Sequence, residues 1–171
     1  RQHSVTQLDV MVVSHADSDH VGGLEDVLAA NDITVGAVVF NGYQGDTATW
    51  YGFATAVAVE GLIMTPAQFP ATFQWGDMQV QVLNPETGLV NPETNNASVV
   101  LRITHGDVSW LFTGDIATTQ EATIVARGTP VAVDILKVAH HGSLYSSGTS
   151  FLSAVGAQEA VISVGQNSYG H

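Results

Sequence analysis

Between Ser14 and Leu24 the chain reads Ser-His-Ala-Asp-Ser-Asp-His-Val-Gly-Gly-Leu, and four side chains that bind metals, His15, Asp17, Asp19 and His20, fall within six residues. Imidazole and carboxylate groups at alternate positions of a turn converge on divalent ions. A solvated polar loop is the competing explanation. It accounts poorly for four ligand residues packed between an apolar run and a glycine pair. Asp17-Ser18-Asp19 also starts like a calcium loop, but Val21 stands at the fifth ligand position and Leu28 at the twelfth, where oxygen ligands are needed. Ser14 and Ser143 adjoin histidines, yet no third group completes a nucleophilic triad, and no nucleophile elbow, phosphate loop or dinucleotide fingerprint is present.

Those ligands need elements to carry them. Leu8 to Val13 is apolar throughout except Asp9 and predicts a fully buried strand. A helix is expected to begin just after His20 and run from Val21 to about Ala30, with Val21, Leu24, Val27 and Leu28 on one face. Gly36 to Phe40 is the next strand. The ligand cluster thus sits at the C-terminal end of the first strand of a strand–helix–strand unit, the edge at which open α/β sheets place their sites. A helix follows over about Thr49 to Glu60. Leu62–Met64, Ala71–Trp75 and Met78–Leu83 read as strands, the last two joined as a hairpin through Gly76-Asp77. Asn84-Pro85-Glu86-Thr87 recurs at residues 91–94, and two copies in a Pro/Asn/Gly-rich stretch indicate a surface loop.

Further along, Ser98–Ile103 and Val108–Phe112 are strands about a turn at His105-Gly106-Asp107. A helix over Thr118–Ala126 leads to the strand Ile135–Val138, a capped helix over Ser146–Val155 and a last strand Ala160–Val164. Two of these strands end in ligand types: one in Asp115, whose carboxylate is able to bridge two ions, and one in the pair His140-His141. The last leads to a loop reaching His171. Strand ends on one sheet edge are neighbours in space, which is what a two-metal site requires. Adjacent residues of a regular strand cannot both face one ion, so one of His140 and His141 is the ligand and the other supports it. His105, at the opposite end of its hairpin, is assigned a surface role, and His3 none.

Composition limits the rest. The 171 residues suit one domain, residues 1–171, with a sizeable core. No apolar run is long enough to span a bilayer, and Arg1-Gln2-His3 leads into a strand and not a signal sequence. Four basic residues against sixteen acidic ones give a formal charge of −12, which argues against a broad electrostatic grip on nucleic acid. An anionic substrate would have to be held by the ions or by other parts of a larger protein. Without cysteine the chain has no disulfide, no thiolate chemistry and no Cys-based zinc site.

At this point a family resemblance emerges. His15-x-Asp17-x-Asp19-His20 with Gly22-Gly23 resembles the metal-binding signature of the metallo-β-lactamase fold, with aspartate at the second histidine position. Asn95–Leu101, Phe112-Thr113-Gly114-Asp115, Leu136–Ser143 and Ile162 through Tyr169-Gly170-His171 then follow in order. The series is similar to the metallo-hydrolase domain of ComEC-type DNA-uptake proteins, over essentially the whole chain from Leu8. Choline-phosphate esterases of teichoic acid share several of these features.

The resemblance implies a four-layer αββα sandwich, here expected to be a fragment lacking the family's N-terminal strands and final helix. It implies two divalent ions, Mn²⁺ or Zn²⁺. His15, Asp17 and Asp115 would hold one; Asp19, His20, Asp115 and His141 the other. Asp19, His140 and His171 would serve catalysis, His140 through substrate contact or proton transfer and His171 near the substrate phosphate or as a late ligand. The superfamily histidine expected ahead of the Gly-Asp strand is missing, with Asn95, Asn96 and Ser98 in that region. The implied activity is hydrolysis of phosphodiesters, with single-stranded DNA as substrate during uptake. The implied setting is the extracytoplasmic face of the cell membrane, beside the channel and nucleic-acid-binding domains of a parent protein. A hydrolase of a small phosphodiester or lactone, and a catalytically silent binding domain, are the alternatives.

Overall fold

In the computed structural model, residues 5–166 are described, and they fall into two compact units divided after Ala67. The first unit holds strands β1 (Gln7–Leu8), β2 (Met11–Val12), β3 (Thr34–Val35), β4 (Val38–Phe40) and β5 (Met64–Pro66). Its helices are α1 (Ser18–Val21), α2 (Leu24–Leu28) and α3 (Ala48–Val59). All its pairings are parallel, β1 with β3 and β2–β4–β5 in one sheet, as strand–helix–strand units demand.

The expected single strand from Leu8 to Val13 is two short ones. The ladder with β3 and β4 keeps one register but breaks at Asp9-Val10, opposite Gly36-Ala37. Nor is the strand buried on both faces. Met11 and Val13 are buried, whereas Val12 is half-exposed and Asp9 exposed. Met11, Val13, Val21, Val38, Phe40, Trp50, Phe53 and Val57 form the core of this unit. Helix α3 begins where expected because Thr47 caps it, its Oγ1 accepting from the Trp50 N–H at 3.1 Å.

The second unit is built on a six-stranded sheet ordered β11-β10-β9-β8-β7-β6. Its strands are β6 (Ala71–Trp75), β7 (Met78–Asn84), β8 (Val100–His105), β9 (Val108–Phe112), β10 (Ile135–Lys137) and β11 (Glu159–Val161). The meander β6 to β9 is antiparallel, and β9, β10 and β11 run parallel. Helices α4 (Thr118–Ala126) and α5 (Thr149–Val155) supply the crossovers. Ile116, Ile124, Phe151 and Val155 pack with Leu111 and Leu136 in its core.

The expected helix start at Ser146 is wrong: α5 begins at Thr149, after Gly148. Ser146 is already committed, its Oγ donating to the carbonyls of Ala139 (2.9 Å) and Ser143 (3.0 Å). The acceptor ahead of the helix comes instead from α4. The buried Glu121 carboxylate accepts from the N–H groups of Ser147 (2.6 Å) and Gly148 (2.8 Å). A second correction concerns the sheets. The strand ending at the opening ligand cluster lies in the β2–β4–β5 sheet, whereas those ending at Asp115 and at His140-His141 are β9 and β10 of the six-stranded sheet.

Candidate metal centre

The opening cluster is held in place by the alternation of its residues. Ala16 is buried in the first unit's core. A Cβ on Gly45 would come within 2.9 Å of the Ala16 methyl and 3.0 Å of Trp50. Only small residues therefore fit at 16 and 45, and His15 and Asp17 are set to either side of a fixed point. His15 is 1% exposed. The helix begins before His20, not after it: Asp17 is the residue ahead of α1, and His20 and Val21 donate backbone bonds to its carbonyl at 2.9 and 3.1 Å. An aspartate in that position ordinarily spends its carboxylate on the first helical N–H groups. Here it makes no such bond, and its Oδ2 stands 3.6 Å from His15 Nε2. Two residues on, Asp19 Oδ2 is 3.6 Å from His20 Nε2.

Ser14 organises both rings. Its Oγ lies 3.0 Å from His15 Nδ1 and 3.2 Å from His20 Nδ1, and the ring centroids are 4.1 Å apart. A hydroxyl oxygen has two lone pairs. It accepts from both Nδ1–H groups when both rings carry their proton there, which leaves both Nε2 lone pairs facing the neighbouring carboxylates. A serine without triad partners thus contacts two metal-ligand types at once, the place of groups that orient metal ligands.

In the second unit, Gly114 takes φ 54°, a left-handed conformation glycine adopts without cost, and this turns the chain from β9 into Asp115. Asp115 is 3% exposed. Its N–H donates to the buried Ser98 Oγ at 3.0 Å. The Ala117 N–H donates to Asn96 Oδ1 at 2.9 Å. Asn84 ties the bracing loop down, its Nδ2 donating to the carbonyls of Asn96 and Ser98 (both 2.8 Å) while its Oδ1 accepts from Gln120 at 2.6 Å. Asn96 and Ser98, in the stretch without the expected histidine, therefore hold the aspartate turn.

Strand β10 delivers the histidine pair beside it. Lys137 Nζ donates to the Gly114 carbonyl at 3.2 Å and lies 3.8 Å from Asp115 Oδ1. Both His140 (φ 49°) and His141 (φ 54°) are left-handed, a costly state for residues with a Cβ that is found at functional sites. This tight turn, residues 139–142, replaces the regular strand on which the two rings would point oppositely. His141 Nε2 comes to 3.2 Å from Asp115 Oδ2. Its Nδ1 donates to the Ser163 carbonyl at 2.6 Å; a carbonyl can only accept, so the neutral ring carries its proton on Nδ1. With the ring neutral, the Nε2 lone pair faces a carboxylate oxygen, an arrangement that either a proton on Nε2 or a divalent ion between the two atoms satisfies. That donor chemistry fits a divalent ion. His140 stands edge-on to His141, with centroids 6.3 Å apart.

His105 pairs with Asp77 across two hairpin turns at 2.8 Å, more than half exposed, and the pairing holds the Asp77 carboxyl below its usual range. His171 and His3 lie outside the described residues. Lys137, Ser98, Asn96 and Glu121 were not singled out as contributors to the site by their spacing. Lys137 alone carried a signal, as the single cation of an otherwise apolar strand.

A sequence model of the Metallo-beta-lactamase superfamily matches residues 4–166. ComE operon protein 3 of Bacillus subtilis (strain 168) is 32% identical over 98% of this chain, which spans 21% of that protein. Competence protein ComA of Neisseria gonorrhoeae is also 32% identical, over 98% of this chain and 22% of its own length. Recombination protein 2 of Haemophilus influenzae is 31% identical over 93% of this chain and 18% of its own length. The chain thus spans about a fifth of these relatives. Among solved structures, the metallo-β-lactamase fold protein YhfI from Bacillus subtilis superposes with a TM-score of 0.55 at 18% identity, covering 92% of this chain and 66% of that one.

Proposed function

The chain belongs to the metallo-β-lactamase superfamily, is similar within it to ComEC-type competence proteins, and on that premise we propose that it is a metal-dependent phosphodiester hydrolase acting on DNA during uptake. One observation carries the reading: His141 Nε2 faces Asp115 Oδ2 at 3.2 Å while its Nδ1 is committed to a carbonyl. His15, Asp17, Asp19 and His20 in the first unit, and Asp115 and His141 in the second, are proposed as ligands of divalent ions. Divalent ions held there would supply a nucleophile from water at neutral pH and polarise the phosphoryl oxygens. Ser14 fixes the ring tautomers in the opening cluster, and Ser98 and Lys137 hold Asp115. His140 is proposed to protonate the leaving oxygen, with His171 as the alternative donor.

The proposed setting, by analogy with the competence proteins, is the outer face of the cell membrane within a larger protein. Among the described residues no helix is long and apolar enough to cross a membrane. The acidic surface favours a second reading, a hydrolase of a small phosphodiester or lactone. Metal analysis of the purified chain comes first, then turnover of bis(p-nitrophenyl) phosphate, single-stranded DNA and an acyl-lactone with Mn²⁺ or Zn²⁺. DNA and phosphodiester turnover abolished by Asp19→Ala and by Asp115→Ala is the expected result. Lactone turnover alone would favour the second reading, and a chain that retains no metal and turns over nothing would overturn both.

A further inference from the structure

We propose that Tyr145, flanked by Leu144, is a stacking platform for a nucleobase next to the scissile phosphate of a single-stranded nucleic acid. This rests on the hydrolase reading and names how its substrate is held. Three residues beyond His141, Leu144 is 93% exposed and Tyr145 76% exposed. Single exposed apolar residues are ordinary on protein surfaces. Two adjacent ones on a pinned loop are a different matter. The Tyr145 carbonyl accepts from the Thr118 N–H at 2.9 Å, and its N–H donates to Ser143 Oγ at 3.3 Å. Ser146 Oγ bonds two carbonyls of the same turn, and Glu121 holds the next two N–H groups. The backbone is fixed from both sides while both large side chains are left in water.

The charges of the protein point to a base, and not to the phosphates, as the group these side chains meet. Each cation among the described residues is already engaged. Arg102 donates to the Ala132 carbonyl, Gln81 and Thr104. Arg127 pairs with Glu86 at 2.6 Å. Lys137 holds the Gly114-Asp115 turn. With a formal charge of −12, counterion release from a basic groove is not available as the source of affinity. Stacking on an aromatic face adds a sequence-tolerant hold that needs no cation of the chain, because every base presents a π face.

The test measures binding of a fluorescein-labelled ten-residue oligothymidylate and of an abasic oligomer of equal charge to the Mn²⁺-loaded chain. Wild type is expected to prefer the thymidylate, and Tyr145→Ala to lose about 5- to 150-fold in affinity for it and none for the abasic oligomer. Tyr145→Trp should restore the preference. Equal binding of the two oligomers by wild type, or unchanged binding by Tyr145→Ala, overturns the platform, and in the latter case points to a docking surface for a protein partner. Wild-type turnover of the abasic oligomer, which offers no aromatic face to stack, reads the hydrolytic centre separately: a wild type that cleaves it without preferring the thymidylate loses the platform and keeps the hydrolase reading.

Discussion

Removing the Ser14 hydroxyl tests the proposed centre without touching a ligand. Ser14→Ala deletes one oxygen that contacts His15 Nδ1 at 3.0 Å and His20 Nδ1 at 3.2 Å. A net hydrogen bond contributes about 0.5–1.5 kcal/mol, so two correspond to about 1–3 kcal/mol, or roughly 5- to 150-fold in an equilibrium constant. Water reaching the half-buried position recovers part of that loss. The expectation is therefore a roughly tenfold weaker hold on metal, at the lower end of the range for groups behind metal ligands. Competition between the protein and a chromophoric chelator for Mn²⁺ or Zn²⁺ measures it, with a thermal melt of the metal-free protein to show that the fold is kept. Ser14→Thr retains the oxygen and should restore most of the affinity. An alanine variant binding within about twofold of wild type would refute the tautomer argument. A wild type that binds no metal would instead refute the ligand assignment.

Two further outcomes follow from the second unit. Ser98→Ala leaves the buried Asp115 N–H without its acceptor, and should lower stability by about 1–3 kcal/mol in urea unfolding while also weakening metal binding; unchanged values for both would dismiss the brace. Burial pushes the Glu121 carboxyl up, against the lowering effect of the Gly148 and Ser147 N–H groups. The folded chain then holds a proton that the unfolded chain has released, so stability falls as pH rises from the ordinary value near 4.3 through the raised one. Glu121→Gln abolishes this dependence. The stability difference should shift in the variant's favour as pH rises through that window, and a constant difference would refute the claim.

Legibility of the fold in the sequence tracked the range of the interactions involved. Strands β6 and β9 and helix α4 begin and end where their local pattern and turns put them. The start of α1 was misplaced because its first turn is Ser18-Asp19-His20, polar residues with no apolar periodicity to mark a helix. The start of α5 was misplaced because its acceptor is Glu121, 26 residues from the Ser147 N–H it receives. The candidate ligands were legible as residue types at strand ends. What holds them was not. Ser98 reaches Asp115 across 17 residues, and the left-handed pair His140-His141 departs from any regular strand.

The excess of acid over base, awkward for a DNA-processing domain, looks different once local and total charge are separated. Fields from exposed carboxylates are screened beyond a Debye length of about 8 Å at physiological ionic strength, so much of the total of −12 does not act at the centre. There the proposed ligands carry three carboxylates, Asp17, Asp19 and Asp115, against one cation, Lys137 at 3.8 Å from Asp115, and the bracing groups Ser14, Ser98, Asn96 and Asn84 are neutral. Two divalent ions would turn that ligand set from negative to slightly positive, and bound ions dominate the local field. On this reading, the centre attracts a phosphate only when loaded, and affinity for DNA should depend far more steeply on divalent metal than on monovalent salt. A basic groove would give the reverse. Titrating oligonucleotide binding against Mn²⁺ at fixed KCl, and against KCl at saturating Mn²⁺, separates the two.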